Sequence, residues 1–398
     1  MKKILTIFKK ELLDTLRDRR TLVVMIVIPL LLFPLLIGIS SKIMMKQRQD
    51  AAVKVLSLGL ITHGNAAEFR QKLVDSKSIK PVENIGEEEI KERIRTGKMD
   101  FGLVFAQDFD QSVAQDRQGS VKFYLKSSRE TELTSRRIEK ILDAFEADLV
   151  AARFKKLDLD QAVTKAIAID RQDIATAQEK IGEAVGGLLP YLFVIFCFMG
   201  AMYPAIDLGA GEKERGTIET LLTSPARRLQ IVIGKFGVVF LAGIASVAIS
   251  FVGLYLAIRS IKEIPDELFD LLTGILSAQT IFLVLSLIVP LTIFFAGVLL
   301  TLSIFAHTFK EAQSIITPLN LVVIIPVFIG LFPGFKLNSV TALIPILNVS
   351  LATREIISGT IKAGLLIEVY LSLIVLAFIG LLLCTRWFQR EDVIFRGT

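Results

Sequence analysis

Six apolar runs, at residues 21–41, 185–206, 225–258, 276–306, 314–333 and 363–388, decide what this chain can become. About 20 apolar residues coiled as a helix cover ~30 Å, the thickness of a bilayer's hydrocarbon core. Such a helix satisfies its own backbone hydrogen bonds in lipid, whereas in water it would have to bury its whole circumference. The sequence therefore reads as a polytopic α-helical membrane protein with six transmembrane helices. Pro29 and Pro34 predict a kink in the first span. The fourth is too long to cross perpendicular to the bilayer and carries Pro290 near its middle, which predicts tilt or a kink.

Composition supports a mixture of two kinds of region. Hydrophobic residues make up 52% and mean hydropathy is +0.58, yet 22% of residues are charged. The formal charge of +6 and pI near 9.2 do not point to nucleic acid, because the basic residues flank apolar runs in place of forming a stripe with aromatics; lipid headgroups account for them. Residues 1–20 alternate Ile4, Leu5, Ile7, Phe8, Leu12, Leu13 and Leu16 with basic residues, the pattern of an amphipathic helix lying on the inner membrane surface. The long basic lead-in, the long apolar run and the lack of an Ala-x-Ala site favour a retained span over a cleaved signal peptide. The two cysteines, Cys197 and Cys384, lie inside apolar runs and give no disulfide framework, and His63 and His307 are too few and too far apart for a metal centre.

Residues 42–184 have the composition of a soluble domain. Residues 53–61, 101–106 and 121–125 are β-like, and 65–76 and 87–96 have helical pattern with good helix formers. This alternation predicts a large extracytoplasmic α/β domain between the first two spans, followed by long helices over 129–156 and 160–180. Lys and Arg crowd residues 2–20, 213–235 and 386–396, whereas the 259–270 loop holds Glu263, Asp266, Glu267 and Asp270 against Arg259 and Lys262. The positive-inside rule then places both termini in the cytoplasm, and residues 42–184 outside. Residues 340–349 are apolar but too short to cross and 350–359 have amphipathic helical character, so the 338–360 segment predicts re-entrant or amphipathic helices at the outer face.

Between the second and third spans, residues 207–224 form a short polar loop that runs Glu212-Lys213-Glu214-Arg215-Gly216-Thr217-Ile218-Glu219-Thr220-Leu221-Leu222-Thr223-Ser224-Pro225. Ile218, Leu221 and Leu222 fall at i, i+3 and i+4, an apolar stripe in need of a partner. Ser224 followed by Pro225 has the form of an N-cap and first helical residue, which predicts that the third span starts there.

This segment resembles the coupling-helix loop of ABC-2 type permeases: Glu-(Lys/Arg)-Glu, then Gly-Thr, then Glu, Leu and Ser/Thr-Pro after the second span. The layout of one span, a large outer domain and five further spans is most similar to the sodium-efflux (Nat-type) branch of that family. The resemblance implies a bacterial-type cytoplasmic-membrane exporter in which Glu212, Glu214, Gly216, Thr217, Ile218, Glu219, Leu221, Leu222 and Pro225 contact a separate ATPase. It further implies two ATPase copies, a second copy of this chain, and sodium as cargo, although relatives export peptides, drugs or lipids. ATP and magnesium would belong to the ATPase. This chain itself is expected to be no enzyme and to bind no cofactor.

No nucleotide-binding signature is present. Gly211 and Gly216 have P-loop spacing, but Thr217 stands where the phosphate-binding lysine is required. Glu88-Glu89-Ile90-Lys91-Glu92-Arg93 matches an intramembrane-protease signature, but in a polar segment with no histidine motif it reads as a solvated helix face. Charges inside apolar runs mark pathways, because burying them costs several kcal/mol. Asp207, Lys235 and Glu368 are such residues, and Asn320 with Thr317 beside Pro318 offers backbone carbonyls to an ion. Asp207, Asn320 and Glu368 are the candidate translocation residues, each with headgroup contact or helix packing as the structural alternative. The rival from another class is a membrane-anchored sensor or scaffold that uses the outer domain.

Overall fold

The computed structural model describes residues 2–62, 67–75, 78–126, 129–157, 174–176, 178–180, 182, 186–217, 220, 223–261, 269, 272–332 and 334–388. The predicted helix over 160–180, the acidic loop residues Glu263, Asp266, Glu267 and Asp270, and the stripe residues Ile218, Glu219, Leu221 and Leu222 lie mainly or wholly outside them. The chain divides into two compact units, residues 1–39 with 173–398, and residues 40–172.

The first unit is helical: α1 (Lys2–Thr15), α2 (Arg19–Leu22) leading through a π-turn (Val23–Val27) into α3 (Ile28–Val53), then α8 (Leu188–Ile206), α9 (Glu212–Glu214), α10 (Arg228–Ser260), α11 (Ala278–Phe305), α12 (Phe309–Ile329), α13 (Ser339–Ala342), α14 (Leu347–Ser358) and α15 (Ala363–Phe388). Among the described residues six helical stretches are long and apolar enough to cross a membrane. α8 is the axis, with Phe193, Val194, Phe198, Ala201 and Ile206 buried against α10, α11, α12 and α14. α12 and α15 keep most of their surface open, with Leu321, Ile325, Leu371 and Phe378 exposed. That distribution suits a bundle in lipid, where exposed leucine costs nothing and close backbone packing at small residues holds helices together. A Cβ on Gly297 of α11 would stand 2.5 Å from the Gly380 carbonyl of α15, and one on Gly253 of α10 equally close to the Leu30 carbonyl.

Several predicted boundaries are corrected. The basic N-terminal helix stops at Thr15 and restarts at Arg19, because the Asp18 carboxylate caps the new helix through the amides of Arg20 and Thr21 at 3.1 and 3.2 Å. The stretch of the first span that is apolar enough to cross runs to Ile43, close to the predicted 41, but its helix continues to Val53, so the strand predicted from residue 53 begins at Leu56. Before Pro29 the helix widens into the π-turn, which gives the ring room against the preceding carbonyls. The third span starts at Arg228 and not at Pro225, since the Gln230 side chain accepts the Arg227 amide at 3.1 Å and fixes the start there. Ser224 Oγ is buried without a partner among the described residues, so it is no N-cap. The fifth span begins at Phe309, ahead of the apolar run, because Thr308 Oγ1 accepts the Glu311 amide at 3.2 Å. In the 338–360 segment, α14 is packed among α8, α11, α12 and α15 with Leu347, Asn348, Val349, Leu351 and Ala352 buried, so it is an inserted helix and not a surface one.

The second unit holds a four-stranded sheet in the order β2 (Ile79–Val82), β1 (Leu56–Ile61), β3 (Phe101–Phe105), β4 (Val121–Leu125), parallel except for β4. Helices α4 (Ala67–Asp75), α5 (Glu87–Arg95), α6 (Phe109–Ala114) and α7 (Arg129–Lys156) accompany it. Phe69 and Phe145, 5.3 Å between centroids, pack with Leu56, Leu58 and Phe105 on one side. Ile90 and Ile94 of α5 pack with Met99 and Val104 on the other. β1 and β3 therefore read as nearly continuous apolar runs, as buried parallel strands do. The short β2 and α6 are not legible in the sequence, since Pro81 in β2 suppresses the strand signal that an edge position tolerates.

Candidate functional site

The charged segment after α8 folds onto α1 and the start of α10. Beyond Pro204 the helix widens into a second π-turn over Asp207–Gly211. Ser303 of α11 supports this turn, donating to the Ile206 carbonyl at 3.2 Å and accepting the Ala210 amide at 2.9 Å. Gly209 is where it is because a Cβ there would collide with Ser303 Oγ. α9 follows, and just past its end the chain turns at Gly216, whose φ of +68° is reached without strain only by glycine and whose amide bonds the Lys213 carbonyl at 3.0 Å.

At the centre of this junction Glu212 and Lys235 form a buried ion pair, and the Lys235 ammonium also donates to the Leu208 carbonyl at 2.6 Å. Lys235 is 1% exposed. Glu11 of α1 is also 1% exposed and faces the same pair, while Lys10, half-exposed, reaches Glu11 at 3.2 Å and Glu212 at 3.7 Å. Burial pushes the Glu11 carboxyl above its ordinary value; Lys235 opposes the shift and Glu212 adds to it. Partial burial pulls the Lys10 ammonium down, but Glu11 and Glu212 outweigh it and the net shift is upward. Glu11, Glu212 and Lys235, from α1, α9 and α10, thus share one nearly dry space, with Lys10 at its solvent edge.

Further bonds spread outward from it. Lys3 donates to the Pro225 carbonyl at 2.6 Å, so α1 holds the far end of the polar loop as well. Lys213 caps the Ile304 carbonyl at the end of α11, and Glu214 accepts the Phe309 amide at 2.8 Å at the start of α12. Thr217 Oγ1 bonds the Glu212 carbonyl at 3.3 Å. Asp207 pairs with Arg215 at 2.8 Å and borders a polar cavity of about 640 Å³ with Asp14, Arg17, Arg20 and Glu214. α1 can lie this close because Gly234 presents no side chain to it: a Cβ there would be 2.7 Å from Ile7 Cγ2. Its buried stripe is Ile7, Glu11 and Thr15, while Leu5, Leu13 and Leu16 are exposed. The expectation of a helix resting on the membrane by its leucines is thus corrected in part, since one face is built into the bundle.

The candidate translocation residues are not brought together. Asp207 belongs to this junction. Asn320 is half-buried about 11 residues along α12 from the Glu214 contact, roughly 16 Å of helix. Thr317 bonds back to its own helix at Gln313 O, 2.6 Å. Glu368 lies at the opposite end of α15 from Cys384, which packs near Ile7 and Ile231, and so about 24 Å from that level. One Glu368 oxygen meets Ser339 Oγ at 3.3 Å, and the other is buried without a partner among the described residues. Among the described residues no cluster of His, Cys, Asp and Glu can hold a metal ion. Glu88 and Glu89 pair with Lys91 and Arg93 on an exposed face of α5, as a solvated helix does. Reading the sequence identified Lys235 as a charge inside an apolar run but not its partners. The signal for Glu11 was its place one turn beyond Ile7 on the same face.

A bundle with six helices long and apolar enough to cross a membrane among the described residues, its second and third joined by a short charged turn to which an N-terminal helix is bonded, defines a polytopic membrane subunit. The model of the ABC-2 family transporter protein matches residues 19–385, and the chain belongs to that family. It is the permease subunit of an ABC transporter, the membrane component and not the ATPase, which implies an ATPase partner. It is similar to the ABC transporter permease protein NatB of Bacillus subtilis (strain 168), with 26% identity over 395 residues that cover 97% of each chain. No solved structure matches it significantly.

Proposed function

We propose that the turn from Glu212 to Pro225 receives the stroke of the separate ATPase, and that the Glu11–Glu212–Lys235 cluster carries it into the spans. The observation that carries this reading is the buried pair itself. Moving Glu212 without Lys235 would leave a buried charge unpaired, a cost of about 3–5 kcal/mol, so the turn and α10 move together. Lys3 on the Pro225 carbonyl ties α1 to the same displacement. Ile218, Leu221 and Leu222 supply the apolar stripe that enters an ATPase groove, and Glu214, Gly216 and Thr217 shape the turn that presents it.

In this reading the ATPase face is cytoplasmic, both termini lie on that side, and the α/β unit is outside, as the basic flanks suggest. Two copies of the chain act with two ATPase subunits. The cargo is sodium, which rests on the likeness of the sequence layout to Nat-type permeases; Asp207, Asn320 and Glu368 are its proposed contacts.

Co-purification and ATPase stimulation in nanodiscs test the coupling. Leu221→Asp should lower ATPase affinity a hundredfold or more, roughly the effect of a charge in an apolar contact, with the permease still folded. Unchanged assembly and stimulation would sink the coupling role. Sodium flux into ATPase-loaded vesicles, compared with flux of peptides, tests the cargo; peptide flux without sodium flux would replace it. Impermeant thiol labelling of Ser127→Cys from outside, with none at Thr223→Cys, tests the orientation.

A further inference from the structure

The α/β unit carries a cleft that the coupling machinery does not use. It has a volume of about 280 Å³ and lies between α7, α6 and the start of β4. Its floor is apolar, with Val113, Val121, Phe145 and Leu149 lining it. Charge is confined to its ends. Asp143 and Glu146 line it from one part of α7, and Arg153 lines it seven residues beyond Glu146 on the same helix. The spacings 146, 149, 153 follow the helical repeat, so all three face the cleft.

Arg153 is the unusual member. Its Nη2 group is bonded to the Arg117 carbonyl, which fixes the guanidinium, but its Nε–H is buried and has no acceptor among the described residues. That nitrogen is closed to solvent and so is not a ligand's donor; what Arg153 offers the cleft is the remainder of a held guanidinium that pairs with no carboxylate among the described residues. The matching group for a fixed guanidinium is a carboxylate. A simple fatty or aromatic acid would then meet Asp143 and Glu146, which repel it. A ligand with a cation at its other end turns that repulsion into attraction. Seven residues of helix separate Glu146 from Arg153 by roughly 10 Å, and an extended chain of two or three residues spans about 7–10 Å from amine to carboxylate. The cleft volume lies at the small end of ligand sites.

We propose that this cleft binds short, apolar, zwitterionic peptides of two or three residues, the carboxylate on Arg153, the ammonium at Asp143 and Glu146, and the side chains on the Val113–Phe145–Leu149 floor. The proposal is independent of what the spans carry.

The test uses the full chain in nanodiscs, with empty nanodiscs subtracted, and calorimetric titration of Leu-Leu and Leu-Leu-Leu. The free peptides should bind. Amidating the C-terminus should weaken binding roughly tenfold or more, as loss of a charge-assisted bond does. Acetylating the N-terminus should weaken it as well. Arg153→Gln should abolish the preference for the free carboxylate over the amide, and Asp143→Asn with Glu146→Gln the preference for the free amine. The blocked peptides require no mutation, so a misfolded variant leaves the test intact. No binding of either free peptide at about 10 mM, weaker than any useful recognition, or equal affinity for free and blocked forms, would overturn the proposal.

Discussion

The ammonium of Lys235 sits between the Glu212 carboxylate and the Leu208 carbonyl, so the third span is fastened to the turn before it by a charge that is 1% exposed. Lys235→Met removes that charge and leaves Glu212 and Glu11 in the same space with only Lys10 nearby. The variant should lose about 3–5 kcal/mol. The double variant Lys235→Met, Glu212→Gln should recover most of it, because no buried charge is then left without a partner. Thermal unfolding in one detergent and lipid mixture measures both. A single variant as stable as the parent would show that the pair does not fasten the turn.

Glu11 gives the junction a pH dependence. Burial is the largest cause of its raised carboxyl pKa, from an ordinary 4.5. A folded-state pKa above the unfolded one means that the native protein holds a proton the unfolded chain releases. The associated stability is fully present below pH 4.5 and is lost as pH rises through the raised value. Glu11→Gln should therefore remove a fall in stability on the alkaline side of 4.5. Melting temperatures of parent and variant, compared from about pH 4 to 8, report it; parallel curves would count against a shifted Glu11.

Gly234 sets how closely α1 approaches α10. In Gly234→Val the new Cβ meets Ile7 Cγ2 at 2.7 Å, and overpacking of this kind costs about 1–3 kcal/mol. Ile7→Ala in the same background should return part of that cost, so that the two changes are not additive. Unfolding midpoints of the single and double variants decide; additive losses would mean that the contact does not form.

In the α/β unit, the Tyr124 hydroxyl is the main reason the Glu87 carboxyl is held at about 2, with Lys122 next. A depressed carboxyl pKa gives stability that is present above 4.5 and lost as pH falls toward about 2. Tyr124→Phe should lower amide protection along β4 at neutral pH. The difference from the parent should shrink across that acid window. Hydrogen exchange at matched pH measures it, and a constant difference would assign the effect to packing of the ring.

Residue order by itself determined the membrane class, the six spans and the alternation of strand and helix from Leu56 to Lys156. These follow from hydropathy and periodicity, which each segment carries whatever its neighbours do. The strands at 101–105 and 121–125 and the helix at 129–156 are of this kind. Helix ends were less legible, because one side-chain acceptor decides them: Asp18 restarts the first span, Gln230 delays the third and Thr308 advances the fifth. The junction was the least legible part. Glu11 is far in the chain from Glu212 and Lys235, which are themselves 23 residues apart, and a buried charge becomes tolerable only when tertiary packing brings its counter-charge to it. Lys235 could be recognised as a residue in need of a partner, but only the fold, with Gly234 admitting Ile7 and the π-turn aiming Glu212 inward, determined which partner it has.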